Sequence, residues 1–260
     1  MKIITWNINS IRLRSNLIFK LLQEEAPDIL CLQECKSPSA EMPFENFKSL
    51  GYFHCFCWGQ KSYNGVALIS KVPLQNVSSI DFMGSHQARH ISAITKTGIT
   101  IHNFYFPAGG DIPDKTINNK FAFKLDYIKE VSNFFKSQTI SKAILVGDLN
   151  IAPGENDVWD HKKLLKVVSH TPIEIESLLN LSKSGPWTDI FGTRSGDEKL
   201  FSWWSYRSRD WEISNRGRRL DHIWVTNDLL KQLENSYILK KIRGWNTPSD
   251  HAPVVAELVL

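Results

Sequence analysis

Residues 143–151 read Ala143-Ile144-Leu145-Val146-Gly147-Asp148-Leu149-Asn150-Ile151. The apolar run 143–146 suits a buried strand, and Gly147 stops it. Asp148 and Asn150 stand two apart, so an extended backbone sends both side chains from one face where the strand leaves its sheet. A carboxylate beside a carboxamide can orient a water, hold a hard cation, or cap a turn. Asp and Asn after Gly are common turn residues, so the pair is decided by what else gathers at neighbouring strand ends.

Working outward, residues 3–8 read as a first strand and Leu13, Leu17 and Leu21 as the stripe of a following helix, flanked by Ile18 and Leu22 and ended by Pro27. Further strands are predicted at 29–32 and 66–70, and a hairpin at 91–95 and 99–106 joined by Lys96-Thr97-Gly98. Helix period returns with Phe121, Leu125, Ile128 and Phe135, and Thr171-Pro172-Ile173-Glu174 has the form of a capping box that starts another helix. Strands at 220–226, 237–242 and 252–260, with a short helix at 228–234, complete the pattern. Alternation alone suggests a doubly wound parallel sheet. The hairpin and the helix-free stretch 187–226 shift the expectation to antiparallel strands in two packed sheets with helices outside.

The chain is 260 residues long, 42% hydrophobic and 22% charged, as expected of a globular protein with a substantial core. No linker, repeat or low-complexity tract divides it, so a single domain over 1–260 is expected. The first residues lack the apolar core of a signal peptide, and no apolar run is long enough to span a bilayer, which predicts a cytoplasmic protein without membrane contact. Cys31, Cys35, Cys55 and Cys57 lack the C-x2-C spacing of a zinc site, and Cys31 lies in an apolar run as a small hydrophobe. Neither nucleotide-binding glycine motif nor an acyl-transfer nucleophile motif is present. Net charge is +4, with five arginines (207, 209, 216, 218 and 219) concentrated against only Asp210 and Glu212, the footprint of a polyanion site or a solvated basic loop.

The strand-end polar residues are Asn7 and Asn9, Glu34, Tyr105, Asp148 and Asn150, Asp221, and Asp250-His251. Each alone has an ordinary structural reading. Asp221 stands out, because it interrupts a strand that otherwise buries Leu220, Ile223 and Val225, where an unpaired carboxylate is costly. Together they form an oxygen-donor set with one His, which selects a hard cation such as Mg²⁺ or Mn²⁺ over zinc. A hard cation beside Asp and His suits attack by water on a phosphoryl centre.

Seven motifs occur in the order of the exonuclease III family, the bacterial branch of the exonuclease–endonuclease–phosphatase superfamily. They are Thr5-Trp6-Asn7-Ile8-Asn9, Leu32-Gln33-Glu34, Asn64-Gly65-Val66, Tyr105-Phe106-Pro107, Gly147-Asp148-Leu149-Asn150, Arg219-Leu220-Asp221 and Ser249-Asp250-His251-Ala252-Pro253. The chain resembles that family from first strand to last. The resemblance implies a DNase I-like four-layered α/β sandwich, with two packed mixed β-sheets flanked by helices. It implies a Mg²⁺-dependent phosphodiesterase, with Mn²⁺ a possible substitute, that acts as a monomer on double-stranded DNA. Such enzymes incise at abasic sites as class II AP endonucleases, remove 3′ blocking groups and digest 3′ ends.

By the same resemblance, Glu34 is the main metal ligand, with Asn7, Asp250, Asp148 and Asn150 around the metal. Asp148 orients and deprotonates the water with help from Asn150. His251, oriented by Asp221, contacts the scissile phosphate, and so does Tyr105. Whether Asp148 is the true general base, and whether one metal acts or two, stays open. Ser10 stands where the family often has Gly.

The segment Phe201-Ser202-Trp203-Trp204-Ser205-Tyr206-Arg207 matches one that reaches DNA beside the site. Trp203 is expected at the pocket and Trp204 in the core, with Arg207, Arg216, Arg218 and Arg89 on the DNA backbone. The same fold also serves lipid phosphodiesterases and RNA deadenylases, and an inactive DNA-binding relative is a third reading. The basic aromatic loop speaks against lipid, and the complete polar set against inactivity.

Overall fold

In the computed structural model, which describes residues 1–192 and 198–260, two six-stranded sheets pack face to face. The first contains β1 (Lys2–Asn7), β2 (Ile29–Gln33), β3 (His54–Trp58) and β4 (Val66–Ser70). It closes with β11 (Leu233–Ile238) and β12 (Val254–Leu258), in the order β11-β12-β1-β2-β4-β3. The second contains β5 (Leu74–Ser78), β6 (His90–Thr95), β7 (Thr100–Tyr105), β8 (Ala143–Asp148), β9 (Trp187–Asp189) and β10 (Asp221–Thr226). Its order is β5-β6-β7-β8-β10-β9. β1 runs parallel to β2 and β7 parallel to β8, and the other pairs are antiparallel, so both sheets are mixed as the resemblance implied.

Seven helices are described: α1 (Ser15–Glu25), α2 (Glu45–Lys48), α3 (Asn119–Lys136), α4 (His161–Leu164), α5 (Pro172–Ser182), α6 (Trp211–Ser214) and α7 (Asn227–Leu230). One apolar cluster, including Ile3, Ile29, Leu68, Ile101, Val146 and Ile223, fills the space between the sheets. A second joins Ile18, Leu21 and Leu22 of α1 to the outer face of the first sheet, and a third joins α3 and α5 to the second sheet. A polar staple crosses the sandwich: Gln33 Nε2 donates to Asn103 Oδ1 at 2.7 Å, and Asn103 Nδ2 reaches Leu32 O and Ala67 O at 3.0 Å each.

Several boundaries differ from the sequence expectation. Leu13 is 64% exposed and precedes α1, so the buried stripe consists of Ile18, Leu21 and Leu22. The strand expected at 237–242 lies instead at Leu233–Ile238, and the helix expected at 228–234 is the single turn α7. β11 pairs only with β12 and exposes Glu234 and Asn235, so it lacks the apolar alternation that marks a strand. Ile242 is buried from a 3₁₀ turn, Lys240–Gly244, and Leu239 from the position that precedes it, rather than from a strand. The stretch 187–226 does contain one turn of helix, α6, anchored by Trp211 against Trp204. On α3 the side chain that turns inward beside Phe121 is Lys124, while Leu125 is only half-buried.

Candidate active site

The register of three strands assembles the site. Asp148 faces Tyr105 across the β7–β8 pair and Asp221 across β8–β10, while Asn7 ends β1. Gly147 makes this packing possible: its φ is +139°, and a Cβ there would meet Phe104 O at 1.9 Å. Asn9, Glu34, Lys36 and Asn150 all have φ near +50°. Non-glycine residues in this region are held there by their surroundings and cluster at functional sites.

Asp148 is the centre of the network. Asn7 Nδ2 donates to its Oδ2 at 2.8 Å and to Glu34 Oε1 at 3.0 Å, so one carboxamide spaces two carboxylates. Asn150 grips Asp148 twice, by its backbone N–H to Oδ1 at 2.9 Å and by Nδ2 to Oδ2 at 3.2 Å, and Nδ2 also reaches Phe106 O at 2.9 Å. Tyr105 OH donates to Glu34 Oε1 at 2.8 Å, and the Arg89 guanidinium lies 4.9 Å over the Tyr105 ring. Asp221 Oδ2 accepts from Ser202 Oγ at 2.6 Å and lies 2.8 Å from His251 Nδ1, whose other nitrogen, Nε2, lies 3.7 Å from Asp148 Oδ2. Asp250 receives Asn9 Nδ2 and Trp203 Nε1 on its two oxygens, at 3.1 and 3.0 Å.

Burial and charge set the protonation states. Burial lifts Asp148 to about 7, working with Asp221 and Glu34 against the opposing pull of His251 and the Asn7 hydrogen bond. Burial pulls His251 down, but Asp221, Asp148 and Asp250 outweigh it and raise it to about 10, so the ring is an imidazolium at neutral pH. Burial also opposes ionisation of Glu34 and Asp250. Lys36 and Asn7 nonetheless hold Glu34 below its usual range, and His251, Trp203 and Asn9 do the same for Asp250.

Sequence reasoning did not single out three of these contacts. Lys36 Nζ pairs with Glu34 Oε2 at 2.7 Å and donates to Asn9 Oδ1 at 2.6 Å; its place two residues after Glu34 was the available signal. Ser202 binds Asp221, and a lone Ser carries no such signal. Lys124, fully buried, donates to Asn150 O at 2.8 Å and pairs with Glu174, whose carboxylate also closes the predicted capping box with Thr171. A Lys at helical spacing from Phe121 and Ile128 was legible as an anomaly.

A cleft of about 750 Å³ opens above this network, lined by Glu34, Asn150, Trp203, Arg218, Asp250 and His251. Arg207 and Arg216 also line it. Trp203 is half-buried at its wall, whereas Trp204 is buried at 1% exposure. Arg216 stacks on Trp159 and Arg218 on Trp203, with 5.0 and 5.3 Å to the ring centroids. Arg219 corrects the picture of a uniformly basic loop. It is buried and paired with Asp157 and Asp189 at 2.6 and 2.9 Å, a structural cation with no face for a polyanion.

Two oxygen-rich positions bear on a metal. Ligand atoms of Asp148, Asp221 and His251 lie within 4.8 Å of one another, a group that could hold an ion, and Asp221 Oδ1 is buried without a partner. The imidazolium already supplies positive charge there. Glu34 and Asp250 face the cleft and offer oxygen only, the donor chemistry of a hard cation.

The profile of the Endonuclease/Exonuclease/phosphatase family matches residues 4–251. The chain belongs to this family. The family groups endonucleases, exonucleases and phosphatases, and the match runs from β1 to His251. The exodeoxyribonuclease III of Haemophilus influenzae is 32% identical over 99% of both chains. The DNA repair nuclease APEX1 of Danio rerio is 29% identical over all of this chain and 83% of its own length. Among solved structures, a 3′-5′ exonuclease from Neisseria meningitidis superposes with a TM-score of 0.92 at 31% identity, and an AP endonuclease from Archaeoglobus fulgidus with 0.92 at 30%. Each match covers 100% of both chains. Among the described residues no helix is long and apolar enough to cross a membrane.

Proposed function

We propose that the protein is a DNA-repair nuclease that hydrolyses phosphodiesters in duplex DNA, incising at abasic sites and trimming 3′ blocks and 3′ ends. In this reading residues 1–260 form one domain, working as a cytoplasmic monomer. The observation that carries it is the clamped carboxylate of Asp148, faced at 3.7 Å by an imidazolium that Asp221 orients at 2.8 Å.

Glu34, with Asn7, Asp250, Asp148 and Asn150 around it, would hold Mg²⁺, or Mn²⁺ in its place, and the ion would supply positive charge against the phosphate. Asp148 takes the proton of the attacking water. Its pKa of about 7 leaves a large share ionised at neutral pH and basic enough to accept. His251 has no lone pair at that pH, so it donates to a phosphate oxygen rather than acting as the base. Asn150 keeps Asp148 in line with the water, and Tyr105, whose hydroxyl also holds Glu34, contacts the phosphate. Trp203, Arg89, Arg207, Arg216 and Arg218 hold the DNA, the arginines on the backbone and Trp203 against the damaged position.

The test is a duplex containing one tetrahydrofuran abasic analogue, incubated with Mg²⁺ and with EDTA. A single Mg²⁺-dependent cut beside the lesion is expected. An intact duplex together with turnover of a phosphoinositide or a poly(A) strand would transfer the site to another substrate class.

A further inference from the structure

The side chain that forms the cleft wall also holds a residue of the charged centre. Trp203 Nε1 donates to Asp250 Oδ2 at 3.0 Å, and Asn9 Nδ2 donates to Oδ1 at 3.1 Å, so each carboxylate oxygen has one protein donor. Asn9 is in turn fixed by Lys36, which pairs with Glu34. On the other side, the Trp203 ring is covered by Arg218, whose Nη1 donates to Val168 O at 2.9 Å and Ser169 Oγ at 2.6 Å. The Trp203 backbone exchanges hydrogen bonds with Arg218 at 2.9 and 3.0 Å and bridges to His251. Turning the indole would break its bond to Asp250 and its contact with Arg218, beside the segment that carries Asp250 and His251.

We infer that Trp203 is a positioning residue for Asp250: its indole N–H fixes the carboxylate on the metal side of the cleft, while the ring forms the DNA wall. This rests on the nuclease reading above and adds to it a link between the two halves of the site. A hydrogen bond that orients a ligating carboxylate is worth about 10–100-fold in metal affinity or activity. A ring that only fills space would contribute through DNA contact alone.

Trp203→Phe separates the two roles, because it keeps an aromatic wall and removes the donor. Mn²⁺ binding to the DNA-free protein, followed by electron paramagnetic resonance, is expected to weaken about tenfold. DNA affinity measured in EDTA should change by less than about threefold, and kcat should fall more than KM rises. In the Asp250→Asn background Trp203→Phe should add nothing to the loss of Mn²⁺ affinity, since the two changes remove one interaction. Unchanged Mn²⁺ affinity in a folded Trp203→Phe protein, or additive losses in the double variant, overturns the inference. Failure of the wild-type protein to cut DNA with Mg²⁺ would instead overturn the nuclease reading, so the two failures are distinguishable.

Discussion

Replacing Asp221 by Asn keeps the shape and one acceptor oxygen beside His251 but removes the charge. In the metal-free protein the two side chains are buried and 2.8 Å apart, and Asp221 is the strongest influence raising His251 to about 10. An opposite charge at this range shifts a pKa by about 1–3 units. His251 in Asp221→Asn should therefore titrate between about 7 and 9. At about 1.4 kcal/mol per unit, the variant loses about 1.4–4 kcal/mol of folding stability near neutral pH. The sign follows from linkage. His251 titrates higher folded than unfolded, so its contribution is complete below about pH 6.5 and is lost as pH rises through about 10. The stability gap between wild type and variant should be widest near pH 6 and close, or invert, above about pH 10.5. Imidazole ¹⁵N titration in EDTA reads the pKa values, and urea unfolding at the two pH extremes reads the gap. A His251 that titrates identically in both proteins, or a gap that stays flat with pH, refutes the assignment of Asp221 as its charge partner.

Asp148→Asn should lower single-turnover cleavage by about 10²–10⁴-fold while DNA affinity in EDTA, read by fluorescence anisotropy, holds; an equal loss of binding would remove Asp148 from proton transfer. Lys124→Met strands the buried Glu174 charge and should cost about 3–5 kcal/mol, whereas Lys124→Met/Glu174→Gln should recover most of the stability while cleavage stays depressed, because Asn150 O has lost its donor. Urea midpoints check this, and a single-variant loss under about 1 kcal/mol would show that the pair is not charged. Arg216→Ala should reduce the slope of log K against log salt for DNA binding by about 0.9; an unchanged slope returns Arg216 to the solvated surface. Arg219→Ala should act through stability, measured as a lower Tm, since Arg219 is paired inside with Asp157 and Asp189.

The local pattern of residues was enough to place β8 and its terminal Asp148, the β6–β7 hairpin, the α5 capping box and the order of polar strand ends. These depend on neighbours in the chain: period-2 and period-3.6 burial, glycine stops and helix caps. The edge strand β11 was misplaced because an edge needs no alternation, and the inward turn of Lys124 was missed because its partners, Glu174 50 residues away and Asn150 O, meet it only in the fold.

Residue types alone also specified the kind of chemistry, since oxygen donors with a single His suit a hard cation and a phosphoryl centre. They did not specify states. Asp148 and His251 are ordinary titrating groups in an unfolded chain. Packing strips their water and sets Asp221 2.8 Å from one imidazole nitrogen, which raises both groups and leaves His251 a cation at neutral pH. The division of the arginines was likewise tertiary: Arg216 faces the cleft and Arg219 the core because Asp157 and Asp189 converge on only one of them. Charge and burial act through space at a few ångströms, and only the folded chain brings those distances into being.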